Sequence, residues 1–406
     1  MSKPIPWLAF FCVLIVSVAR AQLAAEVPIL VGGEPLDVGH LGNATPAVID
    51  YDGDGNKDLL VGHGFRVGAT RSRPTQHYRN VGANAAPRFE LLRNEPNASP
   101  SGYLTIPGSY GAPQLVDMDG DGLRDWVIAD WPFELRLLRG QRDGKFAASE
   151  IVLERGQMRV NYVQVGLHVV DWEGDGDFDL VMGGAMQETR LGHVCLLRNV
   201  GTSKEFRFAA PEPILADGLP IQAPENNPVP AVADWNADGR PDLILGCGDG
   251  SVLWFPNTGS RAAPVFGAEE TLVPPPAGLT DRGKQASPWV VDWNEDGRLD
   301  LVVGDYGRQF EKGMSSEESQ SQREARAKQA EAFTEWARAF TTYRELTVRS
   351  KASAENALLF KSEMADLRGK MVELNAKRDA QFQREQMLQP GRQYHGRVWL
   401  FLRKAE

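Results

Sequence analysis

A nine-residue pattern recurs five times in this chain of 406 residues, and it constrains the fold more than any other feature. Each copy reads Asp-x-(Asp, Asn or Glu)-x-Asp-Gly-x-x-Asp. The copies occupy residues 50–58, 117–125, 171–179, 234–242 and 292–300, and their first aspartates lie 67, 54, 63 and 58 residues apart. Such repetition predicts a propeller or solenoid built from one supersecondary unit per repeat.

The side chains of this motif are those that coordinate a hard cation. Oxygen atoms at positions 1, 3, 5 and 9, with a main-chain carbonyl from position 7, can surround Ca²⁺ at about 2.3–2.6 Å, and glycine at position 6 permits the sharp turn. Mg²⁺ suits the pattern less, because it requires stricter octahedral geometry. We therefore predict up to five calcium ions. The predicted ligands are Asp50, Asp52, Asp54, Asn56, Asp58, Asp117, Asp119, Asp121, Leu123, Asp125, Asp171, Glu173, Asp175, Asp177, Asp179, Asp234, Asn236, Asp238, Arg240, Asp242, Asp292, Asn294, Asp296, Arg298 and Asp300.

The first six positions also fit an EF-hand, which needs a glutamate at position 12 and flanking helices. Position 12 is apolar in every copy: Val61, Ile128, Met182, Leu245 and Val303. A β-rich run follows each motif, and a shorter one precedes it. A third strand and then a short apolar segment follow the first four motifs, and these segments contain Phe89, Phe146, Phe208 and Phe266. Four short antiparallel strands per repeat predict a propeller blade.

At these residues the chain resembles the FG-GAP/VCBS repeat family, the integrin alpha-like calcium-binding β-propellers. The family signature is Asp-x-Asp-x-Asp-Gly-x-x-Asp-Leu in each blade, and the resemblance covers residues 25–310 and 393–406. It implies Ca²⁺ in the loop between strands 1 and 2 of each blade. Two features depart from the family. Asn236 and Asn294 stand at position 3, so motifs four and five are expected to bind Ca²⁺ more weakly, and five motifs predict five blades where many members have seven.

The last blade is incomplete before the chain is interrupted. Its third strand is predicted after the interruption, at Arg397–Leu402, and no segment remains there for a fourth strand. Val27–Val31 precedes the first motif and has no blade of its own, so we predict that it completes the last blade. The predicted fold class is an all-β, five-bladed propeller with four-stranded blades, formed by residues 22–312 and 391–406.

The interruption, residues 313–390, has a helical composition with little Gly or Pro. Apolar residues recur at helical spacing in two stretches. They are Phe333, Trp336, Phe340 and Tyr343, and then Phe360, Met364, Leu367, Met371 and Leu374. A break at 349–354 predicts an antiparallel helical hairpin, a coiled coil inserted in the last blade. Either its two stripes bury each other, or the arm mediates docking or homodimerisation.

Residues 1–21 have the features of a signal peptide: Lys3, an apolar run at 7–18 and the small-x-small sequence Ala19-Arg20-Ala21. Export to the periplasm or the medium is expected. Cleavage after Ala21 would leave Cys195 and Cys247, which we expect as buried thiols rather than a disulfide. No later stretch reaches the ~20 apolar residues of a transmembrane span. A formal net charge of −10 argues against a nucleic-acid partner.

Two classes of function fit these features. The first is an interaction module for a protein or carbohydrate, and the second is a lyase-like polysaccharide enzyme that uses the face where the strand 2–3 loops open. Polar and aromatic residues predicted on that face are His63, Arg66, Asp130, Trp131, Glu188, Arg190, Asp249, Asp305 and Tyr306. We assign no catalytic residue, because carboxylates bound to calcium are held as anions. Trp172, Trp235 and Trp293, at motif position 2, either pack between blades or stack on sugars.

Overall fold

Each repeat folds into one four-stranded antiparallel blade in the computed structural model of this protein. The structure describes residues 23–38, 43–63, 75–92, 103–104, 114–130, 134–153, 162–186, 192–225, 228–276, 282–309 and 393–404, and single helical residues or short runs between 324 and 377. In blade 4 the strands are Val229–Ala233, Asp242–Gly246, Val252–Phe255 and Glu270–Val273. The second strand, Asp-Leu-Ile-Leu-Gly, is wholly buried, as expected for an apolar β-branched and leucine run covered on both faces.

The other blades repeat this order of strands. Blade 1 consists of Ala44–Ile49, Asp58–His63, Thr75–Asn80 and Phe89–Leu91. Blade 2 consists of Gln114–Val116, Asp125–Asp130, Glu134–Leu138 and Glu150–Leu153, and blade 3 of Tyr162–Val170, Asp179–Met186, Gly192–Leu197 and Glu212–Pro213. The first two strands of each blade flank the nine-residue motif, so every motif forms a strand 1–2 loop. The all-β, five-bladed propeller predicted from the repeat is confirmed.

Blade 5 joins the two ends of the described chain. Its strands are Lys284–Val291, Asp300–Gln309, Val398–Phe401 and Val27–Pro28. The amino-terminal strand is therefore the outermost strand of the last blade, as predicted. The observed strand is shorter than the predicted Val27–Val31, however. The chain turns away after Ile29, and Leu30–Val31 pairs with Glu34–Pro35 and bridges Phe89 of blade 1. The amino-terminal segment thus contacts both blades at the closing seam.

The apolar core lies between neighbouring blades. In the described part of the chain, five buried clusters correspond to the five seams of the ring. At the closing seam, for example, Ile29 and Val48 pack with Trp293 and Val302. The free cysteines Cys195 and Cys247 are both buried, which confirms the expectation of two thiols.

The short apolar segments before the fourth strands differ from the prediction in three blades. Phe89 lies in a fourth strand, but Phe146, Phe208 and Phe266 each form an isolated bridge to the end of the third strand, and Phe266 also bridges Ala216 of blade 3. The bridge to the third strand closes the strand 3–4 turn before the chain enters the fourth strand a few residues later. The phenylalanines therefore terminate turns in blades 2, 3 and 4.

Shorter strands decorate the ring. Tyr103–Leu104 pairs with the third strand of blade 1, and Gln222–Ala223 pairs with the third strand of blade 3. Leu215–Ala216 and Leu219–Pro220 form a separate hairpin. Ile221 and Ala223 of these segments are buried in the seam between blades 3 and 4, and Ala216 bridges Phe266 of blade 4.

A two-stranded stalk connects blade 5 to the interruption. Gly307–Gln309, the end of the second strand, pairs with Gln393–His395, so that Gln309 lies opposite Gln393. The residues described between 324 and 377 are helical. Ala339 and Tyr343 pack there against Met371 and Leu374. In the second predicted stripe, Phe360, Met371 and Leu374 are buried, whereas Phe333, Trp336 and Phe340 of the first stripe lie outside the described residues.

Among the helical residues that the structure describes, no segment has both the length and the apolarity needed to cross a bilayer.

Candidate metal centre

The aspartate at motif position 1 organises each strand 1–2 loop. In blade 1, Asp50 Oδ1 accepts a hydrogen bond from the Gly53 N–H at 2.8 Å, and Asp50 Oδ2 accepts one from the Gly55 N–H at 3.1 Å. Asp117, Asp234 and Asp292 accept the N–H groups of motif positions 5 and 6, and Asp171 accepts those of positions 4 and 5, all at 2.7–3.1 Å. The glycine at position 6 has a φ of 82–96° in all five loops. A side chain at that left-handed φ would be strained, which explains the invariant glycine of the repeat.

The aspartate at position 9 ties each loop to the third strand of its blade. Asp58, Asp125, Asp179, Asp242 and Asp300 are at most 1% exposed. One oxygen of each accepts a hydrogen bond at 2.7–2.8 Å from the main chain at the end of the third strand. In blades 1, 2, 3 and 5 the other oxygen accepts the N–H of motif position 2 at 3.0–3.2 Å. Burial raises the pKa of Asp125, Asp179, Asp242 and Asp300.

Carboxylates converge in loops 1 and 2. One oxygen each from Asp50, Asp52 and Asp58 lie within 4.8 Å of one another, and the same holds for Asp117, Asp119 and Asp125. Calcium prefers oxygen ligands of this kind, gathered in a flexible turn. The residues present therefore fit the calcium that the motif predicts, and they would hold it through motif positions 1, 3 and 9.

A hydrogen bond joins the side chain of position 5 to the main chain of position 7. The Oδ1 atom at position 5 accepts the N–H of position 7 at 2.8–3.1 Å in every loop. The position-5 residues are Asp54, Asp121, Asp175, Asp238 and Asp296, and the position-7 residues are Asn56, Leu123, Asp177, Arg240 and Arg298. This bond folds the second half of the loop around the glycine. The role of the 25 predicted residues as calcium ligands stays a prediction.

An arginine pairs with a motif carboxylate in each loop. In blade 1, Arg79 lies 2.8 Å from Asp52 and 3.0 Å from Asp54. The Asn56 N–H and Arg79 together lower the pKa of Asp54. The equivalent third-strand arginines in blades 2 and 3 are Arg139, paired with Asp119, and Arg198, paired with Glu173. In blades 4 and 5 the arginine comes from position 7, where Arg240 pairs with Asp238 and Arg298 with Asp296.

The tryptophans at position 2 pack between blades. Trp172 lies 5.9 Å from Phe266 of blade 4, and Trp293 lies 5.9 Å from Phe89 of blade 1, measured between ring centroids. The Trp235 ring is covered by the Arg403 guanidinium of blade 5 at 5.1 Å. All three side chains are buried. Of the two alternatives, packing between blades is therefore confirmed.

The opposite face is only partly described. Arg66, Trp131, Glu188 and Arg190 lie outside the described residues, and the side chains of His63 and Asp130 do as well. Asp249 accepts hydrogen bonds from the main chain and hydroxyl of Ser251 and so closes a turn. Asp305 is buried and accepts hydrogen bonds from the Gly283 and Arg397 N–H groups and from Trp399 Nε1. Its desolvation raises the pKa to about 6. Asp249 and Asp305 thus hold local structure through hydrogen bonds on the face where the strand 2–3 loops open.

The first strands of the blades lie around the central channel, because they contact their counterparts between blades 2 and 3, 3 and 4, 4 and 5, and 5 and 1. The five strands, within the bounds given above, contain no Asp or Glu. His168 of blade 3 and Trp289 of blade 5 approach each other with ring centroids 6.5 Å apart. Desolvation lowers the pKa of His168 to about 4, so this imidazole is neutral at physiological pH.

Sequence reasoning missed an asparagine that ends the third strand in blades 1, 3 and 4. The Asn80 side chain accepts the N–H groups of Gly82 and Arg88, each at 3.0 Å, and so spans the strand 3–4 turn. Asn199 and Asn257 make the equivalent pairs of bonds at 3.0–3.1 Å. The signal was present as a second repeat, Asn-Val-Gly twice and Asn-Thr-Gly once.

Cations that reach the preceding blade were missed as well. Lys57 Nζ donates to the Asp292 carbonyl at 2.7 Å, and Arg261 donates to the Asp171 carbonyl at 3.2 Å. Arg124 and Arg403 likewise donate to the carbonyls of Asp50 and Trp235. Four of the five motif loops therefore accept a main-chain hydrogen bond from a neighbouring blade. Contacts between different repeats leave no pattern within one repeat, so the sequence could not reveal them.

Comparison with solved structures finds several chains that match at low identity. The GH43_1 enzyme from Xanthomonas citri, complexed with xylose, is 15% identical with a TM-score of 0.40, and the match covers 71% of this chain and 85% of that one. A putative exo-β-1,3-galactanase from Bifidobacterium bifidum s17 is 12% identical with a TM-score of 0.39, covering 71% and 88%. BBS1N in complex with ARL6DN is 9% identical with a TM-score of 0.29, covering 71% and 82%. Scores this low establish neither a shared activity nor a shared ligand.

A search of curated proteins found no match. The family model described as FG-GAP-like repeat matches residues 117–182 and 234–303. Each of these stretches contains two of the five motifs. The blade architecture and the loop geometry agree with this match. The chain therefore contains FG-GAP-like repeats within a five-bladed β-propeller fold.

Proposed function

We propose that this protein is an exported calcium-binding propeller that acts as an interaction module for a protein or carbohydrate. The observation that carries the proposal is that the motif loops and the stalk lie on opposite faces of one ring. The motif loops, with their clustered carboxylates, open on one face, and the stalk leaves from the strand 2–3 side of blade 5. Calcium would stabilise the loops, and the arm would provide the docking element.

Calcium has a structural role in this proposal. Each loop holds at least three carboxylates within one short turn, and their mutual repulsion favours an open loop when no cation is present. The position-9 aspartates connect that turn to the third strand, so a closed loop also fixes the blade. Bound Ca²⁺ would supply two positive charges to each cluster. Binding to the folded state alone raises stability by mass action.

The arm is proposed to be the predicted antiparallel helical hairpin. Ala339 and Tyr343 from the first helical stretch contact Met371 and Leu374 from the second, as two paired helices would. Arg349 also covers the Phe360 ring at 4.6 Å. These contacts support the reading in which the stripes bury each other. A partner, including a second copy of the chain, would then bind the outer surface of the hairpin, where Leu358 and Leu359 are 75% and 68% exposed.

The lyase-like or other polysaccharide-active alternative has less support from the described residues. Glycoside hydrolysis, for comparison, requires a pair of carboxyl groups beside the scissile bond. The five first strands around the channel contain no carboxylate within their bounds. The carboxylates of the motif loops are committed to main-chain N–H groups and arginines on the other face. A binding role therefore fits the described geometry better than hydrolysis.

The proposal is tested by partner capture with and without the arm. Because Gln309 lies opposite Gln393, an Asn-Gly turn can replace residues 310–392 and close the stalk as a two-residue hairpin. We expect the full chain, with Ca²⁺ present, to retain a specific protein or glycan from envelope and secreted fractions, and the shortened chain to lose it. Equal capture by both would contradict docking through the arm. Amino-terminal sequencing of the protein recovered from those fractions tests export, with residue 22 expected first.

A further inference from the structure

In every motif loop, a carboxylate at position 3 or 5 pairs with an arginine. The position of that arginine in the sequence differs between two groups of blades. In blades 1 to 3 position 3 is acidic, and the arginine is supplied by the end of the third strand. In blades 4 and 5 position 3 is Asn236 or Asn294, and the third-strand residue is Pro256 or Leu402. The arginine is then supplied by position 7.

All five loops therefore keep an arginine–carboxylate pair, although the residue at position 3 and the source of the arginine differ. Where position 3 is a carboxylate, the guanidinium reaches it from outside the motif. Where position 3 is an amide, the amide itself also donates to position 5: Asn236 Nδ2 lies 2.8 Å from Asp238 Oδ2, and Asn294 Nδ2 lies 3.1 Å from Asp296 Oδ2. Loop 3 has a second cation nearby, since Arg261 lies 3.7 Å from Asp171.

The paired oxygens belong to residues that the motif predicts as calcium ligands. Arg79 contacts Oδ2 of both Asp52 and Asp54, at 2.8 and 3.0 Å. A guanidinium and Ca²⁺ at the same carboxylates repel each other, because both are positive and only a few ångströms apart. The arginine therefore offsets the charge of the loop most strongly when no metal is bound.

We propose that Arg79, Arg139, Arg198, Arg240 and Arg298 are built-in counter-cations, which hold the motif loops closed without calcium and lower their affinity for it. This inference rests on the proposed calcium binding. It predicts a propeller that remains folded at low calcium and responds to calcium gradually. The fold and the metal are then linked: whatever stabilises the metal-free loop weakens metal binding by the same factor.

The test uses Arg79→Gln and Arg298→Gln, one variant from each class of loop, in the full-length mature chain. Arg142→Gln is the matched control, because Arg142 is an exposed arginine in the strand 3–4 turn of blade 2. Melting is recorded in excess chelator and in saturating CaCl2. Calcium affinity is measured by calorimetric titration of the chelated and dialysed proteins.

We expect both variants to melt at a lower temperature than wild type in chelator and to differ from it less in calcium. Since exposed ion pairs contribute little, the affinity of the altered loop should rise by about three- to fivefold. The control should match wild type under both conditions. Weaker calcium binding would overturn the inference and show that the arginines position the ligands. An equal fall in melting temperature with and without calcium would overturn it as well, because the arginines would then stabilise the loops independently of the metal. A wild-type chain that binds no calcium would overturn the proposed function together with the inference.

Discussion

Val27 lies opposite Leu400 in an antiparallel pair, so residues from opposite ends of the described chain pair within one blade. Ile29 continues this contact, because its N–H donates to the Val398 carbonyl at 2.9 Å while its own carbonyl accepts the Leu36 N–H. The ring is therefore closed by hydrogen bonds between segments that are more than 350 residues apart in the sequence. The same segment packs into the seam between the last and first blades, where Ile29 lies in one buried cluster with Val48 and Trp293.

Replacing Ile29 by Ala should destabilise the propeller by about 2–4 kcal/mol, because it leaves a cavity in the closing seam. Ile29 is 5% exposed and packs with Leu36 and Trp293. Val27→Ala is the matched control in the same segment. Since Val27 is 53% exposed, its change should stay within about 0.5 kcal/mol. Urea unfolding gives both values, and equal effects would contradict the seam as described.

Replacing Asn199 by Ala should destabilise blade 3 by about 1–3 kcal/mol, because two main-chain N–H groups lose their acceptor. The loss should be the same in calcium and in chelator, since the asparagine supports the strand 3–4 turn and is outside the motif. Lys204→Ala in the same turn is the control and should be near neutral. A loss confined to the calcium-loaded protein would instead assign Asn199 to the metal loop.

The repeat was sufficient to predict the blades, because its nine positions fix a turn and two strands by local chemistry alone. Long-range contacts were less accessible. The split of Val27–Val31 after Ile29 depends on Glu34–Pro35 and Phe89, which the motif does not include. The three turn asparagines form a local pattern that could have been recognised. Lys57, Arg124, Arg261 and Arg403 act between repeats, so their carbonyl partners became visible only in the ring.

Calcium chemistry was predictable in kind for a similar reason. The alternation of acidic residues around one glycine specifies oxygen ligands at one turn, and loops 1 and 2 bring positions 1, 3 and 9 together. The arginines were not predictable from the motif in blades 1 to 3, because Arg79, Arg139 and Arg198 come from another strand. In the arm, Tyr343 was predicted as a contact residue, whereas Ala339 was missed because alanine does not stand out in a stripe of large side chains.

Stability should fall between pH 6.5 and 4 through His168. The folded state lowers its pKa from 6.5 to about 4, so the unfolded chain binds a proton in this window and the folded protein does not. The contribution is complete above pH 6.5 and is lost as the pH falls to about 4, with an upper bound of about 3 kcal/mol.

The variant His168→Gln tests this prediction, because glutamine retains an N–H donor for the Val232 carbonyl and cannot titrate. Melting curves of wild type and variant are compared from pH 7 to pH 4 at constant calcium. The difference in their free energies of unfolding should shift in favour of the variant as the pH falls. A difference that is constant across this range would contradict a neutral, desolvated imidazole at the channel.

Calcium titration of the mature chain, after removal of bound metal, tests the central claim most directly. The account predicts saturable binding of up to five ions per chain, together with a melting temperature that rises with calcium and falls again in excess chelator. Loops 1 and 2 should account for the tightest sites, so Asp50→Asn combined with Asp117→Asn should remove them while the ring remains folded. A chain that binds no calcium and melts at the same temperature with and without chelator would contradict the account.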